Sequence, residues 1–86
     1  MRPAGRLSAD AIPRSTAFSP DGRLLAAGDE AGGVTVWDLA TGERHRKFSG
    51  HDGVVFVVSF SPDGRKLASG GADGTALIWD VGTPRG

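Results

Sequence analysis

The phrase FSPDGRLLAAG at positions 18–28 returns as FSPDGRKLASG at positions 60–70, and a repeat with a period of about 20–50 residues constrains the fold before any local propensity does. Phe18 maps onto Phe60, Asp21 onto Asp63, Gly28 onto Gly70, Gly32 onto Gly74, Trp37 onto Trp79 and Asp38 onto Asp80, each pair separated by 42 residues without a gap. A constant offset across so many landmarks means two copies of one structural unit.

Each copy reads as short strands divided by turns. In Ser-Pro-Asp-Gly, at 19–22 and 61–64, Pro presets the φ of a type I turn and Gly supplies the left-handed residue that closes a hairpin with a bulge. LLAAG and KLASG follow as strands, and after a Gly-containing turn come VTVWD and TALIWD, rich in the β-branched and aromatic residues that suit a pleated surface. ATGER turns the first copy into a fourth strand, RHRKFS, before GHDG leads to VVFVVSF. Nothing in the chain has a helical period. Four antiparallel strands per 42 residues is the content of one β-propeller blade. The predicted strands are 14–19, 24–28, 33–38 and 43–49, then 54–61, 66–71 and 75–80.

Composition excludes several functions. At 86 residues the chain is one small domain, and such domains bury only about 60% of the surface their unfolded chains expose. Lys plus Arg number 10 and Asp plus Glu number 10, so no global field draws nucleic acid or an anionic membrane. Without cysteine there is no disulfide framework and no thiol catalysis. The start lacks an apolar signal core, and the longest apolar run, Val54–Val58, is far too short to span a bilayer. A soluble, cytoplasmic chain with no membrane partner is expected. The lack of Asn, Gln and Tyr, with Arg outnumbering Lys, points to a GC-rich bacterial genome.

With Gly50-His51, FSPDG twice, LASGGADG at 67–74 and the Trp-Asp ends of VWD and IWD, the chain resembles the WD-repeat family of β-propellers over roughly residues 14–81. The resemblance implies an all-β partial propeller of two blades, four strands and then three. Its parts are a weakly structured N-terminal segment (1–13), a degenerate first blade (14–49), a second blade (50–81) without its outer strand, and a tail (82–86). In the family the positions matching His51, Ser69, Asp73 and Trp79 form a structural network: Asp bonds His, His bonds Ser, and Ser reaches Trp. The same Ser, His and Asp invite a catalytic-triad reading, but no nucleophile elbow surrounds Ser69, which sits within a strand between Ala68 and Gly70. The family's role implies a non-catalytic module for protein–protein interaction or scaffolding, with contact loops at His51, Asp52, Gly53, Ala72, Asp73 and Gly74. The alternative is a truncated or remnant end of a longer propeller with no activity of its own, and an enzyme is the minor one.

Subtracting 42 from the network gives Ala9, Ala27 and Ala31, with only Trp37 kept, so the first blade is expected to be held by packing alone. VVFVV reads as a strand buried on both faces, whereas PRSTA reads as one with a face in water; the second blade is therefore expected to be interior and the first terminal or degenerate. Arg44, His45, Arg46 and Lys47 read as the charged edge of an outer strand rather than a phosphate-binding patch. Two histidines without ligand spacing, and Asp-Gly pairs without an alternating acidic loop, give no metal site, and no cofactor loop is present. The expected partner is another protein, not nucleic acid, with a homo-oligomer or the remainder of a larger propeller as alternatives. Strand 43–49 maps onto Met1–Leu7, so a ring of about three or four copies completed by exchange of this segment is a further expectation.

Overall fold

A computed structural model describes residue 7 and residues 11–82, and these form seven strands with no helix among them. The strands are β1 (Pro13–Phe18), β2 (Leu24–Asp29), β3 (Gly33–Asp38), β4 (Glu43–Ser49), β5 (Val55–Phe60), β6 (Lys66–Gly71) and β7 (Ala76–Asp80). They pair antiparallel into one sheet ordered β1-β2-β3-β4 and a second ordered β5-β6-β7. The expected strands are all present, with boundaries displaced by one residue at β1, β2, β5 and β7. Most of the expected N-terminal segment, including residues 1–6 of the expected Met1–Leu7 strand, lies outside the described residues, as do residues 83–86 of the tail.

The two Ser-Pro-Asp-Gly hairpins are built alike. Gly22 N–H donates to Ser19 O and Gly64 N–H to Ser61 O, each at 2.9 Å, and both glycines hold a φ of +74°. Asp21 accepts the Ser19 hydroxyl and the Arg23 backbone N–H, while Asp63 accepts the same groups from Ser61 and Arg65. These donors hold both carboxyls below the usual carboxylate range. The turns set the register of β1–β2 and β5–β6, so that Phe18 faces Leu25 in the first sheet and Phe60 faces Leu67 in the second.

Alternation along the strands then builds a single core between the sheets. Leu24, Ala26, Val34 and Val36 of the first sheet meet Val55, Val58 and Leu67 of the second, closed at one end by Val81. β5 lies against β1 and β2. At Gly28, Val55 occupies the space that a side chain would need. Ser15 Oγ–H donates across the seam to Val55 O at 3.2 Å.

Burial does not follow the hydropathy of the strands, and this overturns one expectation. VVFVV is not buried on both faces: Val55 and Val58 are buried, but Phe56 and Val57 are 59% and 55% exposed. A bulge between Val55 and Val57 shifts the register, and no second layer of described residues covers the outer face of β5–β7. The strand buried throughout is β3 of the first sheet, while β1 of the same sheet leaves Thr16 and Phe18 exposed.

Candidate functional site

The end of the molecule carrying loop 50–54 (between β4 and β5) and loop 72–75 (between β6 and β7) gathers four of the sequence-derived residues into one chain of hydrogen bonds. Trp79 Nε1–H donates to Ser69 Oγ at 2.8 Å, Ser69 Oγ lies 2.7 Å from His51 Nε2, and His51 Nδ1 lies 3.3 Å from Asp73 Oδ1. Asp73 also accepts Asp52 N–H on Oδ2 at 2.9 Å, and on Oδ1 it takes both Thr75 N–H at 3.1 Å and the Thr75 hydroxyl at 2.7 Å. One carboxylate therefore ties the two loops together.

Proton placement follows from these partners. The Asp52 backbone N–H, followed by the Thr75 donors and His51, holds the Asp73 carboxyl far below its usual range, so it is an acceptor only. His51 Nδ1 then carries the ring proton, Nε2 accepts the Ser69 O–H, and Ser69 Oγ accepts the indole N–H. The order of nucleophile, base and orienting acid is that of a triad. Access separates it from one: Ser69 is 2% exposed and the His51 side chain is fully buried. Ser69 also lies inside β6, paired on both sides by β5 and β7. Trp79 is covered from the first sheet by Phe48, stacked at 4.7 Å between ring centroids.

Ser69→Ala removes the middle of this chain and leaves the His51 ring nitrogen and the Trp79 N–H without their partner. A stability loss of about 1–3 kcal/mol is expected, measured by urea unfolding with tryptophan fluorescence. Acid supplies a second readout. Because the native Asp73 carboxyl titrates below its unfolded value of 3.8, the stability it contributes is fully present above about pH 5 and disappears as pH falls through the native value. Asp73→Asn should flatten the acid limb of the melting-temperature profile while leaving its shape above pH 6 unchanged.

The other candidates are dispersed. Asp52, Gly53, Ala72, Asp73 and Gly74 are exposed at the loop end, whereas His51 is buried and presents no surface there. Asp38 is buried, holds Arg23 through two contacts of 3.3–3.4 Å and caps Ala40 N–H. Asp80 is exposed and pairs with Lys66. In the basic run, His45 Nε2 and Arg46 Nε both donate to Val81 O, at 3.2 and 3.0 Å, clamping the end of the second sheet to the outer strand of the first. A shallow cleft of about 330 Å³ separates the two Ser-Pro-Asp-Gly turns, with Asp21 and Asp63 on its walls. Among the described residues no group of His, Cys, Asp and Glu is placed to hold a metal ion, and no helix is long and apolar enough to cross a membrane.

The first sheet contradicts the expectation that packing alone holds it. Asp29, buried at the end of β2, accepts Ala31 N–H at 2.9 Å and Gly33 N–H at 2.8 Å on Oδ1, with Lys47 Nζ 3.9 Å from Oδ2. It braces the β2–β3 turn as Asp73 braces the β6–β7 turn, from two positions earlier in the repeat. The signal for it was present: at the 42-residue offset Asp29 aligns with Gly71, so an acid is gained beside the place where one is lost.

The WD domain, G-beta repeat, matches residues 4–38 and 42–80. An uncharacterized WD repeat-containing protein of Nostoc sp. is 46% identical over 41 residues, covering 48% of this chain and 3% of that protein. The β-propeller domain of Cps50 (Swd1) from Myceliophteria thermophila matches with a TM-score of 0.83 at 30% identity, over 88% of this chain and 23% of that one. U3-55K and the WD40 repeats of RRP9 each match with a TM-score of 0.79, at 21% and 22% identity, over 86% of this chain and 24% of theirs. The chain thus spans about a quarter of those solved structures and a small fraction of the Nostoc protein.

Proposed function

Because this chain belongs to the WD domain, G-beta repeat family, we propose that it is a non-catalytic module for protein–protein interaction or scaffolding, presenting Asp52, Gly53, Ala72, Asp73 and Gly74 as its contact loops. The observation that carries this reading is the closure of the His51–Ser69–Asp73–Trp79 chain. Its polar atoms bond to one another and to the loop backbone, and its effect is to hold two exposed loops in a fixed relation. Fixed loops lose little conformational entropy when a partner binds.

A second reading has its own observation. The second sheet leaves Phe56, Val57 and Ile78 more than half exposed, which favours a chain that is part of a larger propeller and has no independent activity.

A photo-crosslinking residue at position 72, compared with one at position 41 at the opposite end of the first sheet, tests the loop assignment in the native cell extract. A discrete protein adduct from 72 alone is expected; equal labelling from both positions, or none, would overturn it. In parallel, ester, peptide and phosphoester substrates should turn over no faster with wild type than with Ser69→Ala. A wild-type rate that vanishes in that variant would establish catalysis instead.

A further inference from the structure

The outer face of β5–β7 is, residue for residue, the face of the first sheet that the second sheet already covers. At the 42-residue offset, Ala68 and Gly70 stand where Ala26 and Gly28 stand, and Ala76 and Ile78 stand where Val34 and Val36 stand. Val36 is fully buried by the neighbouring sheet, while Ile78 is 66% exposed. Gly28 is filled by Val55, whereas the space beside Gly70 meets only Val57 of its own sheet.

The complementary surface lies on β1 of the same chain. Thr16 and Phe18 align with Val58 and Phe60. Val58 is 6% exposed and Phe60 packs against the core, yet Thr16 is exposed and Phe18 is 67% exposed. Leu25, aligned with the fully buried Leu67, is half-buried beside it. Within the chain it is β5, the counterpart of β1, that lies against β1 and β2. The exposed strand of one copy is therefore the counterpart of the strand that makes the internal contact.

We propose that a second copy of this chain docks head to tail, laying the outer face of its β1, with Phe18, on the open face of β5–β7 around Gly70 and Ile78, and so repeating the internal contact between the sheets. The inference rests on the sheets and is independent of what the loops bind. Lys66, paired with Asp80, stands where the internal contact has the buried Leu24; this polar rim makes the contact between copies weaker than the internal one and concentration-dependent. A heterologous contact closes into a ring when its rotation permits, and three or four copies would give about six to eight blades, within the range of about four to eight that propellers use.

Light scattering on the full chain across a hundredfold concentration range tests this, with Phe18→Lys and Ile78→Lys as variants at exposed positions and circular dichroism to verify that both retain their strands. Wild type is expected to rise in mass with concentration above the 8.8 kDa of one chain, and each variant alone to stay at that mass. An equimolar mixture of the two variants is expected to reach twice that mass, because Ile78→Lys still offers an intact β1 and Phe18→Lys still offers an intact open face. A wild type that stays at one chain at every concentration overturns the proposal. So does association of Phe18→Lys equal to wild type, which would mean that the two open faces meet each other, and so does a mixture that remains monomeric.

Discussion

Gly32→Ala is expected to destabilise the protein by about 2–5 kcal/mol, against about 1–2 kcal/mol for Gly74→Ala at the corresponding position of the second copy. Both glycines sit in the left-handed region, at φ +91° and +80°, so both substitutions carry the same conformational cost. They differ in what the new methyl group meets. At Gly74 nothing lies within 4 Å, whereas at Gly32 the methyl would fall inside van der Waals distance of the His51 carbonyl oxygen, with Gly53 O at 3.1 Å. That carbonyl has little room to retreat. The His51 N–H bonds back to Gly32 O at 3.3 Å, and the His51 ring is held between Ser69 and Asp73. Relief of the clash must therefore shift loop 50–54 and disturb the chain that ends at Trp79. Thermal unfolding followed by tryptophan fluorescence checks the asymmetry: for a domain of this size each kcal/mol moves the midpoint by about 4–8 °C, so Gly32→Ala should fall by about 10 °C or more. Equal shifts for the two variants would mean that the contact between sheets contributes nothing at Gly32.

The same asymmetry explains which features the sequence disclosed and which it concealed. Local chemistry announces itself: the Pro-Asp-Gly turns, the β-branched strands and the constant 42-residue offset placed all seven strands and both tryptophans. The hydrogen-bond chain was reachable through the resemblance, because His51, Ser69, Asp73 and Trp79 stand where the family carries its network, although the first copy has alanine at three of the matching positions. Burial was not reachable in this way. VVFVV is the most apolar strand in the chain, yet Phe56 and Val57 face outward while the less apolar VTVW of β3 is covered on both faces. Whether a residue is buried depends on the layer that lies over it, which is set by the neighbouring unit rather than by its own hydropathy. Asp29 was missed for a related reason. An acid before a Gly-rich turn reads as ordinary turn chemistry, and its alignment with Gly71 gains its meaning from the space around that glycine.

That space makes the two braces mutually exclusive, and from it comes the second large effect: Asp29→Ala should cost about 2–4 kcal/mol, since it removes a charged acceptor from two backbone donors at once. Gly33 is buried, so its N–H cannot turn to bulk water. Asp29→Asn keeps one side-chain oxygen for Ala31 and Gly33 and should recover roughly half of the loss, while Lys47→Ala, which leaves both of those backbone donors bonded and removes a cation 3.9 Å from Asp29 Oδ2, should change stability by about 0–1 kcal/mol. The second copy does not accept the first copy's solution. A side chain at position 71 would begin within 2.6 Å of His51 Nδ1 and 3.0 Å of Asp73 Oδ1, so Gly71→Asp should break the His51–Asp73 contact rather than reinforce the turn. Where Asp73 is replaced by alanine at position 31, position 29 has room for a carboxylate. Guanidinium unfolding of Asp29→Ala, Asp29→Asn, Lys47→Ala and Gly71→Asp reads this ranking directly. An Asp29→Ala variant as stable as wild type would show that packing alone does hold the first copy, and a stabilised Gly71→Asp would show that both braces fit in one blade.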